Sequence, residues 1–309
     1  MTEGRKGLLF GAAAYVMWGL FPLYWPWVRP AGALEILAHR VVWSLVVVIA
    51  ILAVQRNWRW IRELLHQPGR LALMALGAIL IATNWGVYIW GVNHGEVVET
   101  SLGYFINPLV TVLLGVLVLR EHLRPVQWAA VGLGAVSVLV LAVDYGHPPW
   151  IALTLAFSFG SYGLIKKHVG APASHSLTVE TATLLIPSLV YLGFLAADGR
   201  SSFGHSGVAQ AVLLVGAGVV TAVPLLFFAG AARRLPLVTL GLLQYVTPVM
   251  QFAFGVLVFH EPMPALRLMG FALVWVALIV LSVDMVRYQR TAREVQRQRG
   301  VEISATSPV

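Results

Sequence analysis

Shifted by 140 positions, this sequence falls on itself. Pro108 lands on Pro248, and Gly115-Val116-Leu117-Val118 lands on Gly255-Val256-Leu257-Val258. Glu121 meets Glu261 and Val143-Asp144 meets Val283-Asp284, with no gap between those points. Each copy is a long apolar stretch with a proline inside and a glutamate just past its end. A duplicated, strongly apolar chain points to a membrane protein built from two like halves.

Composition supports that class. Hydrophobic residues make up 59% of the 309 residues and charged residues 11%, against about 25% charged in soluble domains. A soluble reading would need a core larger than single domains build. The net charge of +8 does not indicate a nucleic-acid partner, because the basic residues sit in short clusters between apolar runs, as topology signals do. With no cysteine, disulfides and thiolate metal sites are excluded and the redox compartment stays open. No His-Glu-x-x-His motif is present, so neither a metal nor a cofactor is expected. The apolar run from Gly7 lacks the small-residue end of a cleavable signal peptide.

A membrane-crossing helix needs about 20 apolar residues. Ten runs qualify, at about 7–28, 33–54, 70–92, 97–119, 125–143, 150–167, 176–197, 208–231, 236–259 and 264–286. One set of connections carries Arg5 and Lys6, then Arg56, Arg59, Arg62 and Arg70, then Arg120 and Arg124, Lys166 and Lys167, Arg233 and Arg234, and the tail arginines. The alternate set carries only Arg29, Arg200 and Arg267. This alternation puts both termini in the cytoplasm. Five helices per copy is an odd number, so the second copy enters the membrane upside down. The expected fold is an all-α membrane protein with ten transmembrane helices as two inverted five-helix repeats. The repeats cover 7–145 and 150–286, and a basic cytoplasmic tail covers 287–309.

This arrangement, with proline-containing fourth and ninth segments each followed by a glutamate, resembles the EamA-type drug/metabolite transporter superfamily. Within it the chain is most similar to the branch of chloramphenicol-sensitivity permeases. The stretches that carry the resemblance are YVMWGLFPLY at 15–24, LEILAHRVVWS at 34–44, NWGVYIWGVN at 84–93, SLGYFINP at 101–108, SFGSYGLIKK at 158–167, RRLP at 233–236 and QYVTP at 244–248. The resemblance spans nearly the whole apolar region and implies permease activity in the cytoplasmic membrane.

Ionisable residues at membrane depth are costly, so each is a functional candidate. Glu35, His39 and Arg40 lie in the outer third of the second segment. Glu35 and His39, four apart, share a face and are read as a gate or as caps of the bundle end. Arg40 sits about seven residues, or about 10 Å, below the interface. Glu180 lies 140 positions after Arg40 and approaches from the opposite side. It reads as a substrate contact or gate, or as a carboxylate facing Lys166 or Lys167. Asn84 and Tyr88 share one face of the third segment, where the amide bonds a neighbouring helix or lines a cavity. Tyr104, Asn107 and Pro108 stand against Gln244, Tyr245, Thr247 and Pro248. Each proline frees the carbonyl four residues earlier, marking a polar site, a hinge or a packing kink. Tyr162, matching Phe21 at a shift of 141, completes the candidates.

Two function classes remain. The first is a secondary active or facilitative transporter, an exporter, for a small organic metabolite or drug-like solute, with membrane lipid as its other partner. The second is a membrane-embedded lipid-modifying enzyme or a structural or channel bundle. An enzyme would concentrate its carboxylates and histidines at one interface, whereas here they are spread between the halves. Substrate, coupling ion and oligomeric state are not written in the sequence.

Overall fold

The computed structural model describes residues 2–56, 58–120, 122–232, 234–235 and 237–306. Glu121, Arg233 and Pro236, used above in the repeat, charge and motif patterns, lie outside the described residues. So do the side chains of Lys167 and of residues from 289 onward. Among the described residues there are helices and connections and no strand.

The helices are α1 (Glu3–Gly19), α2 (Phe21–Tyr24) with the 3-10 turn Trp25–Val28, α3 (Ala33–Gln55), α4 (Arg59–Leu65), α5 (Pro68–Asn93), α6 (Val97–Leu119) and α7 (Pro125–Tyr145). After them come α8 (Trp150–Val169), α9 (Ala173–Ala197), α10 (Val208–Ala232), α11 (Leu237–Leu243), α12 (Val246–Leu257) and α13 (Ala265–Thr306). Seven of these, with α11 and α12 taken together over Thr239–Leu257 as an eighth, are long and apolar enough to cross a membrane among the described residues. The bent pair Glu3–Gly19 and Phe21–Val28, turned by 41°, makes a ninth if it is one span. The apolar run Trp150–Lys166 is shorter than these. The chain is thus a multi-pass membrane protein.

Local chemistry sets the boundaries. Pro68 and Pro125 stand in the first turns of α5 and α7, where the missing N–H is not needed. Gly146 and Gly170 end α7 and α8 in the left-handed region, at φ 72° and 62°. Arg56 and Arg120 take the same conformation at the ends of α3 and α6, where their charge faces the negative pole of the helix.

α7 and α13 pack along each other in antiparallel fashion and are clamped at both ends. Arg124, at the start of α7, pairs with Asp284 late in α13 at 2.5 Å. Asp144, late in α7, pairs with Arg267 at the start of α13 at 2.7 Å. Asp144 and Asp284 are one of the pairs the 140-residue shift superposes. Each arginine also lies over a tyrosine ring, Arg124 over Tyr288 and Arg267 over Tyr145, at 4.2 and 4.3 Å from the ring centres.

Three elements depart from the sequence pattern. The short α4 was not expected, because its seven residues carry three charges. α13 does not stop near 286 but continues as helix to Thr306, since the tail's Glu, Gln and Arg residues are good helix formers. The ninth run counts as one span, Thr239–Leu257, but its helix is interrupted. It breaks at Gln244–Tyr245 between α11 and α12, whereas its counterpart α6 runs unbroken through Pro108.

Small residues let the helices touch. At Gly218 in α10 a Cβ would stand 2.4 Å from the Trp43 carbonyl carbon, which is backbone and cannot swing aside. Gly218→Ala is therefore expected to destabilise the purified protein by about 1–3 kcal/mol. Gly132→Ala meets nothing within 4 Å and should be neutral or gain up to about 1 kcal/mol of helix propensity. Thermal unfolding of the two variants in detergent checks the contrast.

Candidate functional site

Arg40 lies in α3, seven residues after Ala33, and is 3% exposed. Its Nε donates to Thr221 Oγ1 of α10 at 2.7 Å. Its guanidinium carbon stands 3.8 Å from the Trp85 ring centre, 5.3 Å from Trp25 and 5.6 Å from Phe21. Stacking on a desolvated ring contributes about 2 kcal/mol, whereas removing a guanidinium from water costs several kcal/mol. The rings and one hydroxyl therefore do not fully compensate this charge.

Below Arg40 the polar groups interlock. Asn84 Nδ2 donates to Leu155 O at 3.0 Å and to Ser158 Oγ at 3.2 Å, both in α8. Tyr104 Oη of α6 donates to Asn84 Oδ1 at 3.2 Å. The amide thus bonds neighbouring helices, as a polar group at membrane depth requires. Rings link onward from Tyr88 to Tyr104, to Phe159 and to Tyr162, with centres 5.6, 6.2 and 6.0 Å apart. Tyr162 Oη donates to both Glu180 oxygens, at 3.0 and 3.1 Å. Glu180, 4% exposed, also pairs with Lys166 at 3.1 Å.

Glu180 thus ends this ladder of rings, and Arg40 lies within electrostatic reach of Tyr104 and Tyr88 at its other end without pairing with Glu180. Of the two readings of Glu180, the carboxylate facing Lys166 is present, and the ladder adds Tyr162 to it. Asn107 faces α8, where a Cβ on Gly160 would lie 3.5 Å from its Oδ1, and its carbonyl accepts from Thr111. Gln244 and Tyr245 sit apart, at the break between α11 and α12, and Tyr245 Oη accepts from Ser282 at 3.4 Å. Pro248 lies in the first turn of α12, and Pro108 inside α6. Glu35 accepts from Ser202 N at 2.7 Å and from Ser201 Oγ at 3.3 Å, while His39 stacks on Phe203 at 4.9 Å. Both residues hold the connection between α9 and α10.

Thr221, Ser158 and Trp25 escaped the sequence reading, because a lone hydroxyl or ring in an apolar helix shows no period. Glu99 did as well, and the sequence marks Glu261 as part of the repeat but not as a cap. Glu99 of α6 accepts from Ile151 N at 2.9 Å and Ala152 N at 3.3 Å, capping α8. Glu261 accepts from Val97 N at 2.6 Å and Val98 N at 2.8 Å, capping α6. Among the described residues no three His, Asp or Glu side chains are placed to hold a metal ion.

Comparison with known proteins decides the class. The family model described as "EamA-like transporter family" matches residues 5–143 and again 149–283. The chain belongs to that family. It is 58% identical to "Protein RarD" of Streptomyces exfoliatus, over 94% of this chain and 93% of that one. It is 44% identical to "Uncharacterized transporter YojE" of Bacillus subtilis (strain 168), over 94% and 98% of the two chains. A solved structure described as "Crystal structure of protein" superposes with TM-score 0.59 at 18% identity, over 92% of this chain and 99% of that one, which speaks to the fold alone. The protein is a membrane transporter of the EamA family and not an enzyme.

Glu261 lies between the spans that end at Leu257 and begin at Ala265. Burial pushes its pKa up to about 7, with a further rise from Glu96, against the Val98 and Val97 N–H groups and Arg267, which favour the anion. Between the ordinary value of 4.5 and about 7 the folded state holds a proton that the unfolded state releases. Its contribution to stability is thus fullest below 4.5 and is lost as pH rises through 7. The melting temperature of the protein relative to Glu261→Gln should fall between about pH 5 and pH 8. A difference that stays flat across that range would contradict the assignment.

Proposed function

We propose that this chain is a secondary active or facilitative transporter that exports a small organic solute across the cytoplasmic membrane. It works by alternating access between two inverted five-helix halves, 7–145 and 150–286. Both termini lie in the cytoplasm, and the basic tail 287–309 extends α13 there. The observation that carries the reading is the ladder from Arg40 to Glu180. Two ionisable side chains at repeat-related positions, 3% and 4% exposed, end one run of rings and amides drawn from α3, α5, α6, α8 and α9. Charged groups at membrane depth mark a solute path.

Further observations support the two halves. The family model matches twice, once in each half. The clamps of α7 on α13 reuse the repeat-related Asp144 and Asp284 at opposite ends of one antiparallel pair. α6 is continuous where α11 and α12 are broken, the asymmetry that two like halves adopt when one side of a site is open and the other closed. In that cycle Pro108 and Pro248 serve as hinges. Asn84, Tyr88, Tyr104, Asn107 and Tyr162 line the path with Arg40 and Glu180. Gln244 and Tyr245 join it when α11 and α12 straighten, and Glu35 and His39 gate its outer end.

Exposed histidines test the topology. Cysteine placed at His94, His147, His205 or His260, all exposed, should react with an impermeant maleimide on intact cells. Cysteine at His66, His122 or His168, also exposed, should react only after lysis. In proteoliposomes, Arg40→Ala and Glu180→Ala are each expected to cut solute flux about tenfold or more, the scale of a lost hydrogen bond to a charged group. Flux near wild type for both would make the ladder structural.

A further inference from the structure

Three other basic side chains of the helical bundle that lie partly buried have carboxylate partners, and a fourth, Arg70, donates to the Val169 carbonyl at 2.8 Å. Arg124 pairs with Asp284, Lys166 with Glu180, and Arg267 with Asp144. Arg40 is more buried than any of them, and it forms no ion pair among the described residues. Its Nη1 is fully covered and has no hydrogen-bond partner. Two more unpartnered buried groups surround it. Trp25 Nε1 belongs to the ring 5.3 Å from the guanidinium. Tyr88 Oη projects from α5 one turn beyond Trp85, whose ring lies 3.8 Å under the guanidinium. Arg40 acts electrostatically on the Tyr88 and Tyr104 phenols, so the groups share one locus. Tyr104 is already committed to Asn84.

The locus has a surplus of donors. An arginine carries only donors, and an indole carries one donor and no acceptor. The one protein acceptor that Arg40 engages among the described residues, Thr221 Oγ1, is used by Nε. Stranded donors beside a permanent positive charge call for an acceptor that is itself negative. A guanidinium edge with a neighbouring hydroxyl matches two oxygens on one carbon better than it matches a spherical ion.

We infer that Arg40, with Tyr88 and Trp25, is the site that receives the carboxylate of an organic acid, which makes the transported solute a carboxylate-bearing one. The inference rests on the transporter reading for its solute but not for its binding. In the conformation described here the donors are closed over, so the carboxylate enters when the helices around α3 part. The rest of the solute then lies along Tyr88, Tyr104 and Phe159, with Glu180 and its partners at the far end.

The test uses the full chain in detergent with matched pairs of probes: benzoate with benzamide, phenylacetate with phenylacetamide, and lactate with lactamide. Sodium chloride holds ionic strength equal throughout. At least one carboxylate is expected to raise the melting temperature while its amide does not. Tyr88→Phe, which removes one hydroxyl, should raise the half-saturating concentration about tenfold. Arg40→Gln should abolish the response, and Arg40→Lys should keep part of it. Equal response to acid and amide, equal response to chloride, no response to any carboxylate, or a response that survives Arg40→Gln would each overturn the inference. Flux separates the two readings. Arg40-dependent binding without flux of any probe sinks transport and leaves the site. Flux of neutral or cationic solutes that is indifferent to Arg40→Gln sinks the site and leaves transport.

Discussion

In hydrocarbon no water stands by to take up a stranded N–H, and most of this structure follows from that lack. Helices satisfy their own middles but leave the first four N–H groups of each unmet. Two of those starts are met here by carboxylates from distant parts of the chain. Glu261 reaches the start of α6, and Glu99 the start of α8. Each is worth about 0.5–2 kcal/mol as a cap, and each also fixes which helices meet at that end of the bundle.

The same lack sorts the polar interior. Asn84 is fully engaged, with two donations and one acceptance, and it ties α5 to α8 and α6. Glu180 is engaged by Tyr162 and Lys166. Arg40 is not engaged to the same degree. A bundle selected only for stability would favour an apolar residue there, because well-packed apolar replacements of buried charges are often neutral or stabilising. The charge is kept where its neighbours leave it underused, which is what the binding role proposed for Arg40 requires.

Much of this was legible in the sequence. The lengths of the apolar runs follow from membrane thickness, and the eight helical spans long enough to cross fall on eight of them. Arg40, Asn84, Tyr88 and Glu180 stood out because polar atoms are rare in such runs. Their partners did not. Thr221 and Ser158 become meaningful only when α10 meets α3 and α8 meets α5, contacts more than 70 residues apart in the chain. Glu99 and Glu261 sit near run ends, where a carboxylate looks like an ordinary interfacial residue. The break at Gln244–Tyr245 was equally hidden. Pro108 and Pro248 are matched in sequence, yet one helix runs straight through and the other stops short, so tertiary packing decides what each proline does.

The two capping carboxylates cross between the repeats. Glu261, from the second, holds α6 of the first, and Glu99, on α6, holds α8 of the second. The halves are therefore stitched in series, from the connection after α12 to α6 to α8, by carboxylates on backbone N–H groups, in addition to the side-chain pairs between α7 and α13. Parting them at this end uncovers four N–H groups and two carboxylates at once, and only incoming water can take their place. Separation there is a wetting event. Its equilibrium is set by the activity of water, so a concentrated osmolyte too large to enter the gap would hold that end shut.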